Sequence, residues 1–108
     1  MTDTVVVLVT APSADKAAEI ARTLVEEQLA ACGNVLPALR SIYRWEGKLQ
    51  DEPEALLILK TRANLFEALR SRIVALHPYQ VPEVLRLDVA GGHLPYLQWI
   101  GESVRSSP

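Results

Sequence analysis

Hydrophobic residues recur along this chain at two spacings, alternate positions and every third or fourth, and the switches between them outline its elements. Thr4–Thr10 (TVVVLVT) is a continuous β-branched run, the pattern of a strand buried on both faces. Ala11-Pro12-Ser13 closes it, with Ser13 placed to cap a helix. Ala17, Ile20, Ala21, Leu24 and Val25 then repeat at helical spacing, opposite Lys16, Glu19, Arg22, Glu26 and Glu27. That predicts an amphipathic helix ending near Gln28–Leu29, with an alanine-rich stripe suited to close packing on a sheet.

The next stretch, Gly33–Thr61, reads as one long β-hairpin turning at Glu46-Gly47, where Gly supplies the positive φ of a tight turn. Its arms, Val35–Trp45 and Leu49–Thr61, are each about 11–13 residues, or roughly 35–40 Å at about 3.3 Å per residue. Strands in a domain of this size usually run about 5–6 residues, so the hairpin is expected to project beyond its own core. Pro37 removes a ladder donor, and the apolar parity slips between Leu39 and Ile42, which predicts an edge strand or a bulge. On the returning arm Lys48–Glu54 is polar and Ala55–Leu59 is core-like, so the inner half belongs in the sheet and the outer half protrudes.

Asn64 and Glu67 have the spacing of a capping box. The helix they open carries Leu65, Phe66, Leu69, Ile73 and Leu76 on one face and stops at His77-Pro78. Glu83–Ala90 alternates Leu85, Leu87 and Val89 with Arg86 and Asp88, a strand with one wet face. After Gly91-Gly92, Pro95 opens a terminal helix with Tyr96, Trp99, Ile100 and Val104 on one side, where the two aromatic residues are expected to pack. The order β-α-β-β-α-β plus a helix predicts an α+β, ferredoxin-like domain spanning residues 1–108.

Composition narrows the function classes. The 108 residues carry 11 Lys and Arg against 13 Asp and Glu, a net charge of −2 that gives no electrostatic pull toward nucleic acid or an anionic membrane. No Lys/Arg-Gly-aromatic pattern of an RNA-recognition sheet occurs in the strands. The longest apolar runs fall far short of the roughly 20 residues that span a bilayer. A single cysteine, Cys32, and an acidic start without signal-peptide character predict a cytoplasmic protein without internal disulfides.

Candidate chemistry is sparse. Cys32, His77, His93 and the carboxylates Glu46, Asp51, Glu52, Glu54 and Glu83 fall into no spacing that specifies a metal. The plainer role for Cys32 is that of a small buried residue beside the sheet. His77-Pro78-Tyr79-Gln80-Val81-Pro82-Glu83 is denser: two prolines stiffen a loop that offers a proton switch, a hydroxyl donor and a carboxylate. Spacing alone leaves three readings open, acid–base chemistry, ligand holding, and a proline-stiffened connection in which His77 hydrogen-bonds to backbone, the last being the simplest. Lys60, Arg40 and Arg44 are candidates for an anion, although singly each reads as a surface charge.

The runs EEQLAACGNVLPALRSIYRWEGKL, LLILKT, HPYQVPEVL and YLQWI, in this order, resemble the CutA divalent-cation-tolerance family from about Val6 to Ile100. The resemblance implies a non-enzymatic homotrimer assembled like PII-type signalling proteins, its long hairpins reaching onto neighbouring subunits. Tyr43, Trp45, Glu46, Tyr96 and Trp99 become expected trimer-interface residues. It also implies tolerance of copper and other divalent cations, with Cys32, His77 and Glu83 as metal candidates drawn from more than one subunit. An alternative is a PII-like adaptor holding a small anion in an intersubunit pocket made by Arg44, Trp45, Lys60, His77, Tyr79 and Glu83. A third is an acid–base enzyme using His77 and Glu83. Two positions depart from the family's pattern. Gly33 stands where a β-branched residue is commoner, and Gln80 where Glu is usual, which removes a carboxylate from the proline loop.

Overall fold

The computed structural model describes residues 2–108. In chain order the elements are β1 (Thr4–Ala11), α1 (Ala14–Glu26), β2 (Cys32–Trp45), β3 (Lys48–Arg62), a 3-10 turn (Ala63–Leu65), α2 (Phe66–Leu76), β4 (Leu85–Asp88) and α3 (Leu94–Glu102). The strands form one sheet in the order β2-β3-β1-β4, and every neighbouring pair is antiparallel. This is the expected ferredoxin-like α+β arrangement with an added C-terminal helix.

Alternation explains the core. Val5, Val7, Val9 and Ala11 of β1 and Ala55, Leu57 and Leu59 of β3 point to one face and are fully buried. They pack with Ala17, Ile20, Ala21 and Leu24 of α1 and Leu69 and Ile73 of α2. Gly33 of β2 lies so close beneath α1 that a Cβ there would stand 2.8 Å from the Cβ of Ala21. Glycine at this position therefore sets the approach of helix to sheet.

The opposite face has no helix layer over its centre. Val6, Leu8, Leu56 and Ile58 are only half-buried there, and Leu85 and Leu87 are 54% and 52% exposed. The expectation that β1 is buried on both faces is corrected accordingly. The fourth strand, expected to have one wet face, is exposed on both. Arg86 registers with Val7 and Asp88 with Val5 on the helix side, leaving the two leucines on the uncovered side. Arg86 reaches back over the Phe66 ring at 5.6 Å, which accommodates a charge at that edge.

The hairpin is as long as its sequence demanded and longer. Glu46 and Gly47 both have positive φ (51° and 77°), the signature of a two-residue type I′ turn matched to strand twist. The register shifts between Leu36 and Leu39, around Pro37, where a bulge was expected. Beyond the Leu39–Glu54 pair both arms leave the core, braced by a bidentate Arg40–Asp51 ion pair at 2.8 and 2.7 Å.

Three local expectations change. α1 stops at Glu26 and Gln28 turns left-handed (φ 59°), with Leu29 N–H donating to Leu24 O at 3.0 Å and Gln28 N–H to Val25 O. That is a Schellman closure without its usual glycine, and it leaves Val25 exposed. The Asn64–Glu67 capping box does not form: Asn64 donates its side-chain amide to Ser106 O, and Glu67 pairs with Arg70. Ile100 of α3 and Val104 just beyond it join Ala31 and Leu65 in a second small core, whereas Tyr96 and Trp99 of α3 stack on each other in the open.

Candidate functional site

The proline loop folds back against the end of the sheet, and His77 is what fastens it. The ring is buried; Nδ1 accepts from Tyr79 N–H at 3.1 Å, so Nε2 carries the proton and donates to Thr10 O at 2.7 Å. Both nitrogens are committed within the chain. His77 therefore acts as a structural clasp here, joining the loop after α2 to the end of β1.

With the clasp closed, Tyr79 points at the root of the hairpin and donates its hydroxyl to Glu54 Oε2 at 2.6 Å. Glu54 is 9% exposed, and none of the ion pairs among the described residues includes it. Burial, and then the Glu54 carboxylate, hold the Tyr79 phenol far above its ordinary range, so it stays a proton donor. Glu83, at the far end of the loop, is also pushed up by burial and by the charge of Glu54. Glu54 was one carboxylate among several in the sequence. Only the antiparallel register, which carries it toward Tyr79, distinguishes it from Glu52.

Between loop and hairpin lies an open cleft of about 660 Å³. Thr10, Ser41, Tyr43, Trp45, Glu54 and Tyr79 line it, together with Ile42 and loop residues Pro78, Gln80, Val81 and Glu83. The structure thus gathers three members of the expected pocket, Trp45, Tyr79 and Glu83, and adds Tyr43, Ser41, Thr10 and Glu54. Arg44, Lys60 and His77 are not in the lining. His77 is turned to backbone, and Arg44 lies on the opposite face of the hairpin from Tyr43 and Trp45. Lys60 is four residues of strand away, donating to Asn34 Oδ1 at 2.8 Å and lying 5.8 Å from the Tyr96 ring centre.

Cys32 is at that distant end too. It opens β2 opposite Lys60, half-buried on the uncovered face, with Sγ 3.9 Å from the Tyr96 hydroxyl. About four strand residues at roughly 3.3 Å each separate its level from the Thr10 level where His77 is fastened. Cys32, His77 and Glu83 accordingly do not meet within one chain. Among the described residues no three His, Cys, Asp or Glu side chains gather into a metal-binding group.

These features have close counterparts. The family model of the CutA1 divalent ion tolerance protein matches residues 5–103. The chain belongs to the CutA1 family. It is 50% identical over 98 residues to the divalent-cation tolerance protein CutA of Thermus thermophilus, covering 91% of this chain and 95% of that one. The solved structure of the Thermus protein superposes with a TM-score of 0.91 at 48% identity, over 94% of this chain and 99% of the other. The rice protein CutA 1 is 46% identical over 95% of this chain, which spans 58% of that relative's length.

CutA1 relatives are named for tolerance of divalent ions rather than for a reaction. Their compartments vary. The rice relative is described as chloroplastic, and the Archaeoglobus fulgidus structure, 35% identical with a TM-score of 0.91 over 94% of this chain and 99% of its own, as periplasmic. That overturns the expectation of a cytoplasmic protein, since one cysteine and an acidic start do not fix a compartment within this family. No helix among the described residues is long and apolar enough to cross a membrane.

Proposed function

We propose that this CutA1 chain works as a non-enzymatic homotrimer that binds or responds to divalent cations, copper first. The observation that carries the assembly is the uncovered sheet face. Val6, Leu8, Leu56, Ile58, Leu85 and Leu87 form an apolar row on one side of a sheet whose other side is already fully packed. Apolar patches of that kind mark interaction surfaces, and a second copy presents the same patch. The protruding hairpin supports the same reading. Its exposed Tyr43 and Trp45, with Glu46 at the turn, extend beyond the chain's own core, as do Tyr96 and Trp99 on α3. Burial of these five residues between subunits is part of the proposal.

For the cation, Cys32 is the one thiol in the sequence that could hold a soft ion, and it lies half-buried on the uncovered face. One thiol is not a site, so the proposal requires further donors from neighbouring copies. His77 is engaged by Thr10 and Tyr79, and Glu83 belongs to the cleft at the other end. The alternative of a small anion in the cleft has little behind it. The described lining residues hold two carboxylates and no Lys or Arg.

Light scattering tests the assembly, with a three-subunit mass expected and a one-subunit mass at micromolar concentration refuting it. Calorimetry with Cu(I) and Cu(II) tests the ion. Cys32→Ser is expected to abolish the copper heat and His77→Ala to leave its stoichiometry intact. Copper binding unchanged in Cys32→Ser removes this donor.

A further inference from the structure

We propose that residues 103–106 form a strap, hinged at the end of α3 and latched by Arg105, that opens as its own local unit while the main core stays folded. This goes beyond the cation reading and does not depend on it. The starting observation is Gln28, whose φ of 59° is left-handed, a region where Cβ crowds the backbone carbonyl. Glu46, the other such non-glycine among the described residues, turns beside Gly47; Gln28 has no glycine beside it. The last turn of α1 also carries no basic residue to meet the negative end of its dipole. Arg105 supplies both remedies from the far end of the chain. Its backbone N–H donates to Gln28 O at 2.9 Å, and its guanidinium Nε donates to Glu27 O at 2.7 Å. One residue thus holds the two carbonyls that follow the helix and sets a positive charge at its end.

The strap's other fastenings are few. Val104 packs with Ile100, Ala31 and Leu65 in a cluster of four side chains that is separate from the main core. Asn64 donates its side-chain amide to Ser106 O at 2.9 Å. The turn beneath is anchored without the strap. Leu29 and Ala30 belong to the main core, Thr61 Oγ1 donates to Leu29 O at 2.7 Å, and Ala31 N–H donates to Lys60 O at 2.8 Å. Arg72 of α2 holds the Glu27 carboxylate at 2.8 Å, which leaves only the carbonyl to Arg105. Lifting the strap therefore frees the end of α1 and uncovers Ala31 and Leu65 without dismantling the sheet. Backbone strain persists only where surrounding contacts impose it, so Gln28 relaxes once Arg105 leaves, and its strain favours opening. A strained turn under a small cluster has the character of a segment that opens well below the free energy of global unfolding.

The test is amide hydrogen exchange on the full-length chain, followed residue by residue by NMR. In the wild type the amides of Arg105 and Gln28 are expected to share one protection factor, well below that of Val7 in the main core. Arg105→Ala removes the charged latch and is expected to speed exchange at Gln28 about tenfold, the effect of one charge-assisted hydrogen bond. Val7 should stay within about twofold of its wild-type rate. Gln28→Gly works in the opposite direction. Glycine takes the left-handed conformation without strain, so the closed strap gains and exchange at Arg105 should slow about threefold. If Arg105→Ala does not fold, Gln28→Gly reads the same equilibrium from the other side. An Arg105 amide as protected as Val7 overturns the proposal, because the strap then opens only with the whole molecule. So does Arg105→Ala speeding Val7 as much as Gln28, which makes the latch part of the main core. Arg105 exchange that is unchanged or faster in Gln28→Gly overturns it too, because no strain is then stored at the turn.

Discussion

The two faces of this sheet are built from the same residue types and have opposite fates. On the helix side Val5, Val7, Val9, Leu57 and Leu59 are at most 1% exposed. On the other side Leu85 and Leu87 remain about half exposed, although they are just as apolar. Hydrophobicity decided that both rows seek cover. Only the positions of α1 and α2 decided which row receives it within the chain. Antiparallel sheets commonly pair one apolar face with one polar face, so a sheet with two apolar faces leaves one row without cover inside its own chain, the row on which the proposed assembly rests.

Substitutions on the two faces sharpen this contrast. Leu59→Ala, on the covered face, removes a fully buried side chain and is expected to lower stability by about 2–5 kcal/mol in a denaturant titration. A loss below that range would mean the covered core is looser than its packing shows. Gly33→Ala is next, at about 1–3 kcal/mol, because the new Cβ meets Ala21 at 2.8 Å in an already full layer. Ala21→Gly in the same chain should restore most of the loss, and failure to do so would locate the strain elsewhere.

Leu87→Ser, on the uncovered face, is expected to change the stability of an isolated chain by no more than about 0.5 kcal/mol. The same substitution should lower the assembled mass in light scattering. A large stability loss with an unchanged mass would show that the face is covered by something other than a second copy.

Glu83→Gln probes the cleft. The folded state holds the Glu83 proton more tightly than the unfolded chain, so Glu83 favours folding least once it is ionised. Stability attributable to it is present at low pH and falls as pH rises from the ordinary carboxylate range through the raised folded value. Glu83→Gln should therefore flatten the descent of the melting temperature as pH rises above the ordinary carboxylate range. Smallest of all, Arg72→Ala breaks the surface pair with Glu27, whose carboxyl is held below its usual range chiefly by that hydrogen bond. The slight loss should be present at neutral pH, vanish as Glu27 protonates in acid, and shrink in high salt.

Much of this was written locally. The type I′ turn needed only Glu46-Gly47 between two extended runs, the bulge needed Pro37, and the projecting hairpin needed only the length of its arms. Element order followed from period and punctuation, and the family from four short runs. Such features depend on residues close together in the chain, where backbone sterics and side-chain spacing act directly.

The site did not. Glu54 and Tyr79 are 25 residues apart, and His77 reaches Thr10 across 67. A histidine, a tyrosine and a glutamate on a stiff loop left acid–base chemistry, ligand holding and a plain proline-stiffened connection open, and the histidine follows the last of these by bonding to the Thr10 backbone. The fold turned the histidine into a clasp and paired the tyrosine with a carboxylate from the hairpin. It also sent Cys32 to the other end of the sheet. Sequence alone determined which side chains were available and which strands carried them. Register and loop closure decided which of them meet, because burial and hydrogen-bond partnership belong to pairs of residues that the linear order does not bring together.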